Sequence, residues 1–284
     1  MQNFKNNYLI IGQGAVGRQV SHKLAELGCQ VSGMARGAKA DYHLPENIEF
    51  IQADASKITA NKIRDFNRIA IIITPTYYTE YGYRSSYLAV AQNFAKLKED
   101  LPNLERLVFI SSTGVYGQNS GEWIDEHTRP HPPVRMLSKI ILQAEQVLNE
   151  AFDHKCVIIR PSGIYGSTRL MRVNKAKEAN KKPMPANAWT NRIMDTDLSN
   201  IIGNVLIMDA PKQLYIATDF SPVTSYELTK WLSKKLDAEL PIVQDLLPTS
   251  GKRLKSNIPQ EWIKFKTWQQ GYQHILKQIS NPLN

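Results

Sequence analysis

Cysteine is nearly missing: Cys29 and Cys156 are the two in 284 residues. Each stands alone at the start of an apparent strand, outside any Cys-x-x-Cys or Cys/His grouping. That argues against a disulfide framework and against a zinc site. The expectation is two buried, inert thiols and no metal, as suits a reducing compartment. Long apolar runs are missing as well. Nothing approaches the roughly 18 apolar residues of a membrane span. The N-terminal run 8–11 leads straight into glycines, not into a cleavage site, so the reading is a cytoplasmic protein without a signal peptide. Repeats and low-complexity tracts are absent too.

Acidic residues are outnumbered, 26 against 35 basic ones, for a formal charge of +9. This balance favours anionic partners, phosphorylated ligands among them. The clearest basic cluster, Lys175, Lys177, Lys181 and Lys182, carries no interleaved aromatics. It reads as a solvated helix face, so nucleic acid is not an expected partner.

What is present is alternation. Segments 8–11, 30–35, 48–51, 69–73, 107–110 and 157–159 are short and nearly continuously apolar, as in parallel strands covered on both faces. Between them, 15–27, 81–99 and 137–152 have helical spacing. The order predicts an α/β fold, a Rossmann-type doubly wound parallel sheet, over residues 1–166. Beyond it, 167–180, 195–208 and 225–236 read as helices, and a late strand near 213–218 returns to the sheet. Residues 167–284 are therefore expected to form a small, mostly helical C-terminal subdomain, too poor in strands for a second sheet domain.

The first strand runs into Gly12-Gln13-Gly14-Ala15-Val16-Gly17, which opens the first helix. In this context a GxGxxG loop has a mechanism. Gly12 allows the tight turn, Gly14 lets the backbone approach a pyrophosphate, and Gly17 lets helix and strand pack closely. The helix N-terminus adds free N–H groups and the positive end of its dipole. An NAD-preferring site places an acid about 20 residues on. Residues 27–40 contain none, and Arg36 follows the second strand instead. A guanidinium holds a 2′-phosphate through two parallel bonds, which points to NADP over NAD. Asp54, after the third strand, is placed to accept from the adenine amino group or to cap the following turn. Thr74, at the end of the fourth strand, completes this set of expected cofactor contacts.

Three further stretches carry a resemblance. They are Phe109-Ile-Ser111-Ser112-Thr113-Gly114-Val115-Tyr116-Gly117, then Arg160-Pro161-Ser-Gly163-Ile-Tyr165-Gly166, then Asn191-Arg192-Ile193-Met-Asp195-Thr-Asp197-Leu198. With the N-terminal loop, in this order, they resemble the extended short-chain dehydrogenase/reductases, the group of nucleotide-sugar epimerases and dehydratases. The chain is similar to an atypical, epimerase-like branch. The resemblance implies a Rossmann domain, a substrate subdomain over the nicotinamide, and redox chemistry at a hydroxyl or carbonyl carbon. The implied substrate is a small molecule of the nucleotide-sugar class. It gives Ser112 the bond to the reacting oxygen, and assigns Ser111, Arg160 and Pro161 to the cofactor pocket.

One absence cuts across this. The family's acid–base pair is Tyr-x-x-x-Lys, in which a neighbouring ammonium lowers the phenol pKa. No tyrosine lies between Tyr116 and Tyr165. If Lys139 is the family lysine, Arg135 holds the tyrosine position; aligned instead on Glu145, the pair becomes Leu137 and Ile141. Arginine does not give up its proton. Lys139 keeps an expected role at the nicotinamide ribose, and Tyr165, His131 and Tyr116 become the candidate proton donors. Thr113 and Gly114 replace the acidic pair of the dehydratases. His127 and His131 are four apart, but Pro130, Pro132 and Pro133 exclude the helix a metal pair needs. Without the tyrosine, a second reading is a dinucleotide-binding sensor or scaffold that performs no chemistry.

Overall fold

The computed structural model describes residues 6–244 and 247–280. In chain order the first elements are β1 (Asn7–Ile11), α1 (Ala15–Glu26), β2 (Gln30–Ala35), β3 (Glu49–Gln52) and β4 (Arg68–Ile71). Next come α2 (Glu80–Tyr83), α3 (Ala89–Leu97), β5 (Arg106–Ile110), β6 (Ser120–Ile124), α4 (Met136–Phe152) and β7 (Cys156–Pro161). Then follow β8 (Gly163–Tyr165), α5 (Met171–Ala176), β9 (Met184–Pro185), β10 (Ala188–Thr190), β11 (Arg192–Met194), α6 (Asp195–Ile207) and β12 (Leu214–Ala217). The chain closes with β13 (Val223–Thr224), α7 (Ser225–Lys235), β14 (Val243–Gln244), β15 (Ser250–Leu254) and α8 (Trp268–Ser280).

Seven strands form one sheet in the order β12-β7-β5-β4-β1-β2-β3. Neighbours from β3 through β7 pair in parallel. The continuous apolar runs find their reason here. Leu9, Ile10, Ile69, Ala70, Leu107, Val108 and Ile159 are fully buried, so both faces of these strands are covered. Each such Leu, Ile or Val side chain contributes about 1.5–3 kcal/mol on burial. The order reverses between β1 and β4, the kind of place where open α/β sheets bind ligands. Both cysteines are buried and free, and burial pushes the Cys156 thiol up to about 12. Both lie buried, as expected.

The helix expected over 81–99 is present as a continuous helical run, with a π-helical turn at Arg84–Leu88 between α2 and α3. Thr79 caps its start, its hydroxyl accepting from Gly82 N at 3.1 Å. Tyr87 in that turn is buried and donates to Ile73 O at 3.2 Å.

By its contacts the chain divides into two compact units. Among the described residues, the first comprises the chain up to Val115, Pro132–Arg160 and Leu198–Tyr215; the second comprises Tyr116–His131, Pro161–Asp197 and everything from Ile216 on. The second unit takes in Tyr116–His131 ahead of the expected boundary at 166/167, and the late strand expected near 213–218 is β12 at the edge of the seven-stranded sheet. The second unit holds a four-stranded sheet, β13-β10-β15-β6, and its core gathers Tyr165, Val173, Met194, Leu228, Phe265 and Trp268. The helix expected over 167–180 is reduced to Met171–Ala176, and a 3-10 turn follows at Ala179–Lys181. No helix among the described residues is long and apolar enough to cross a membrane.

Candidate functional site

The first unit carries a cleft of about 300 Å³ at the C-terminal ends of β1, β2 and β4, lined by Gly12, Gln13, Gly14, Arg36, Asp54 and Thr74 among others. The loop glycines divide the labour by contact. Gly12 has φ +93°, and a Cβ on it would sit 2.0 Å from Ile72 O. One on Gly17 would lie 1.8 Å from Gly12 O, so α1 can approach the loop only because neither residue has a side chain. Gly14 differs: a Cβ there would meet nothing within 4 Å. It would project into open space over the helix start, where a phosphate needs backbone approach. Gly14 is the N-cap of α1 with no side-chain cap, and Ala15, Val16 and Gly17 form the first turn. The leading N–H groups therefore remain available to an anion.

Gln13 went unnoticed in the sequence, where it is the variable position of the motif. It is 1% exposed; its Nε2 donates to Ile10 O at 2.7 Å and its Oε1 accepts from Ser21 Oγ at 3.2 Å. The amide thus ties the loop to both β1 and α1.

Arg36 is exposed on the rim, its Nη2 donating to Thr76 Oγ1 at 2.8 Å. Lys39, three residues on, donates from Nζ to Ile48 O at 2.6 Å. Burial alone would raise the Asp54 carboxyl, but two donors from Ser56 and the charges of Arg36 and Lys57 outweigh it and hold the group below its usual range. Asp54 is thus an ionised acceptor on the cleft wall that also caps the turn following β3.

The residues named by resemblance fall elsewhere. Ser111, Ser112, Lys139, Arg160 and Pro161 are not among those lining this cleft. Ser111 and Arg160 share a buried network: Arg160 donates from Nε to Glu145 Oε1 at 2.9 Å and from Nη2 to Oε2 at 2.6 Å, while Ser111 Oγ donates to Oε1. These bonds tie the end of β7 and the residue after β5 to α4. Ser112 is half-buried, and its Oγ accepts from Gly114 N at 3.0 Å. Lys139 is exposed in the first turn of α4, with Arg135 as the N-cap.

Tyr165 belongs to the second unit and is 2% exposed, stacked on Tyr272 with ring centroids 4.3 Å apart. Burial pushes its phenol up, and nearby Asp219 adds to the effect. The phenol is packed in the core of this unit. Tyr116 is equally buried, whereas His131 is exposed. Among the described residues no group of three or more His, Cys, Asp or Glu is gathered to hold a metal.

Residues 8–192 match a family model described as the NAD dependent epimerase/dehydratase family. The chain belongs to that family. None of the curated proteins matches it in sequence. Among solved structures it is similar to an NAD-dependent epimerase/dehydratase-type protein of Methylobacillus flagellatus, with 26% identity, TM-score 0.77 and coverage of 97% of this chain and 99% of the other. It shares its fold with UDP-N-acetylglucosamine 4-epimerase of Bacillus cereus, at 14% identity, TM-score 0.73 and coverage of 98% and 100%. The same holds for dTDP-glucose 4,6-dehydratase of Bacillus anthracis, solved with NAD, at 17% identity, TM-score 0.74 and coverage of 97% of each chain.

Proposed function

We propose that the chain binds NADP in the cleft of the first unit and serves redox chemistry at a hydroxyl or carbonyl carbon of a nucleotide-sugar-type substrate. The observation that carries the reading is the loop geometry. Gly12 and Gly17 are closed by neighbouring backbone, while Gly14 faces open space over an uncapped helix start. Backbone N–H groups of this kind hold a pyrophosphate. Arg36 takes the 2′-phosphate, exchanging its bond to Thr76 for a bidentate pair, and Asp54 accepts from the adenine amine. When bound, a nicotinamide dinucleotide supplies hydride transfer, and the protein contributes orientation and proton transfer. Ser112 bonds the substrate oxygen, and Lys139 holds the ribose.

The same residues support a second reading, dinucleotide binding without turnover. It is favoured by the position of Tyr165 in the core and by the lack of a tyrosine in α4. Paired titrations with NADPH and NADH, read by ligand fluorescence, test what both share. Tighter NADPH binding is expected; binding of neither overturns the proposal. Turnover of sugar nucleotides by the NADP-loaded protein then separates the two.

A further inference from the structure

In the first unit the turn that follows β2 is held from several sides. Asp41 Oδ2 accepts from Ala38 N at 3.0 Å and closes the 3-10 turn Lys39–Tyr42. Gln52 Nε2, at the end of β3, donates to Arg36 O at 3.2 Å, and Lys39 Nζ donates to Ile48 O just ahead of that strand. From α1, Arg18 Nη1 reaches Tyr42 O at 3.4 Å. His43 then takes a left-handed φ of 46° and leads the chain away.

The turn brings Tyr42 into the wall of the same cleft that Arg36 lines. The ring packs against Phe50 of β3 with centroids 5.8 Å apart. Its hydroxyl oxygen accepts from Gly37 N at 3.3 Å. A Cβ on residue 37 would fall 2.7 Å from that oxygen, so a glycine directly after Arg36 leaves the hydroxyl its place. A phenol donates as well as accepts. Among the described residues the Tyr42 proton has no protein acceptor. Two acids lie in the neighbourhood, and both are engaged. Asp41 is bonded to Ala38 N and does not line the cleft, and Asp54 accepts from Ser56.

We propose that Tyr42 is a cofactor-selecting residue, whose hydroxyl donates to the 2′-phosphate that Arg36 pairs with. This rests on the NADP reading of the cleft and names a second donor for the same phosphate. A phosphomonoester carries nearly two charges at neutral pH and three acceptor oxygens, more than one guanidinium fork satisfies. A neutral hydroxyl supplements Arg36 there. The 2′-hydroxyl of NAD offers no charge to strengthen such a bond, so the contribution falls on NADP alone. Because protein bonds already fix the turn, little ordering remains to oppose binding.

Tyr42→Phe removes the oxygen and keeps the ring on Phe50. NADPH and NADH are titrated by ligand fluorescence into the full-length parent, Tyr42→Phe, Arg36→Ala and the double variant, with melting temperatures alongside. In Tyr42→Phe, NADPH binding should weaken about tenfold, the worth of a bond to a charged group. NADH binding and the melting temperature should change little. The double variant should lose NADPH affinity beyond Arg36→Ala, because the two side chains make separate contacts with the phosphate. Parent-like NADPH affinity in Tyr42→Phe, while Arg36→Ala loses NADPH selectively, overturns the role of Tyr42 and leaves the NADP reading standing. Equal losses for both dinucleotides also overturn it, since the phenol would then serve the adenosine they share. No further loss in the double variant does the same, since Tyr42 would then only support Arg36. A parent that binds NADPH no tighter than NADH removes the NADP reading, and the role of Tyr42 with it.

Discussion

The carboxylate of Glu145 and the guanidinium of Arg160 meet through two bonds, 2.9 Å and 2.6 Å, with side chains 2% and 9% exposed. This joins the middle of α4 to the end of β7 inside the first unit. Removing one partner leaves a buried charge without its counterpart, at a cost of about 3–5 kcal/mol. Arg160→Met is therefore expected to lower the urea midpoint sharply. A shift of under about 1 kcal/mol, the scale of an exposed ion pair, would show the pair to be unimportant.

Gly14 separates binding from folding. Its φ of −70° suits any residue, and a Cβ there meets no protein atom within 4 Å. Gly14→Val should fold with a melting temperature within a few degrees of the parent yet lose NADPH binding. Retained affinity in a folded variant counts against the phosphate loop as the site.

Arg36→Ala tests cofactor choice. If the guanidinium holds a 2′-phosphate, NADPH binding should weaken by about tenfold or more, the worth of a charge-assisted bond, while NADH changes little. Equal losses for both would remove the NADP assignment.

Stability should fall with rising pH in a window set by Asp219. Burial raises this carboxyl from 3.8 to about 8, despite a bond from Ser221 N and the charge of Arg192. Above about pH 4 the unfolded chain releases a proton that the folded chain keeps. The contribution is whole below that point and is lost as pH climbs through about 8. Melting temperatures from pH 5 to 9 should decline less steeply in Asp219→Asn. Parallel curves for the two proteins would show that Asp219 titrates normally.

Tyr165→Phe should be neutral or stabilising, because the buried hydroxyl has no partner among the described residues. NADPH affinity and any turnover should persist. A loss of turnover with the fold intact would return Tyr165 to the catalytic group.

What was legible in the sequence was what depends on neighbours along the chain. The sheet strands announced themselves because residues such as Ile69, Ala70 and Ile71 are buried on both faces. The phosphate loop did so because Gly12 and Gly17 relieve clashes with neighbouring backbone and Gly14 leaves the helix start uncovered, all within six residues of chain. By contrast, β6 and β15, Ser-Gly-Glu-Trp-Ile and Ser-Gly-Lys-Arg-Leu, are polar and short, and become strands only by pairing across some 130 residues. The Glu145–Arg160 bond is tertiary in the same sense. Glu145 was visible only as an alignment mark, and nothing local says that it captures the arginine. The helix expected over 167–180 shrank because basic side chains at helical spacing do not by themselves supply an apolar face to bury.

The sheet order also carries a schedule. β7 lies between β5 and β12, so one of its edges waits for Leu214–Ala217. A nascent chain that has displayed the whole phosphate loop and six strands still presents an open, apolar edge of the sort that pairs with foreign strands. Between Pro161 and Leu214 the ribosome must deliver some fifty residues before that edge is covered. Arrest or truncation in this interval would leave that edge of β7 without its partner strand.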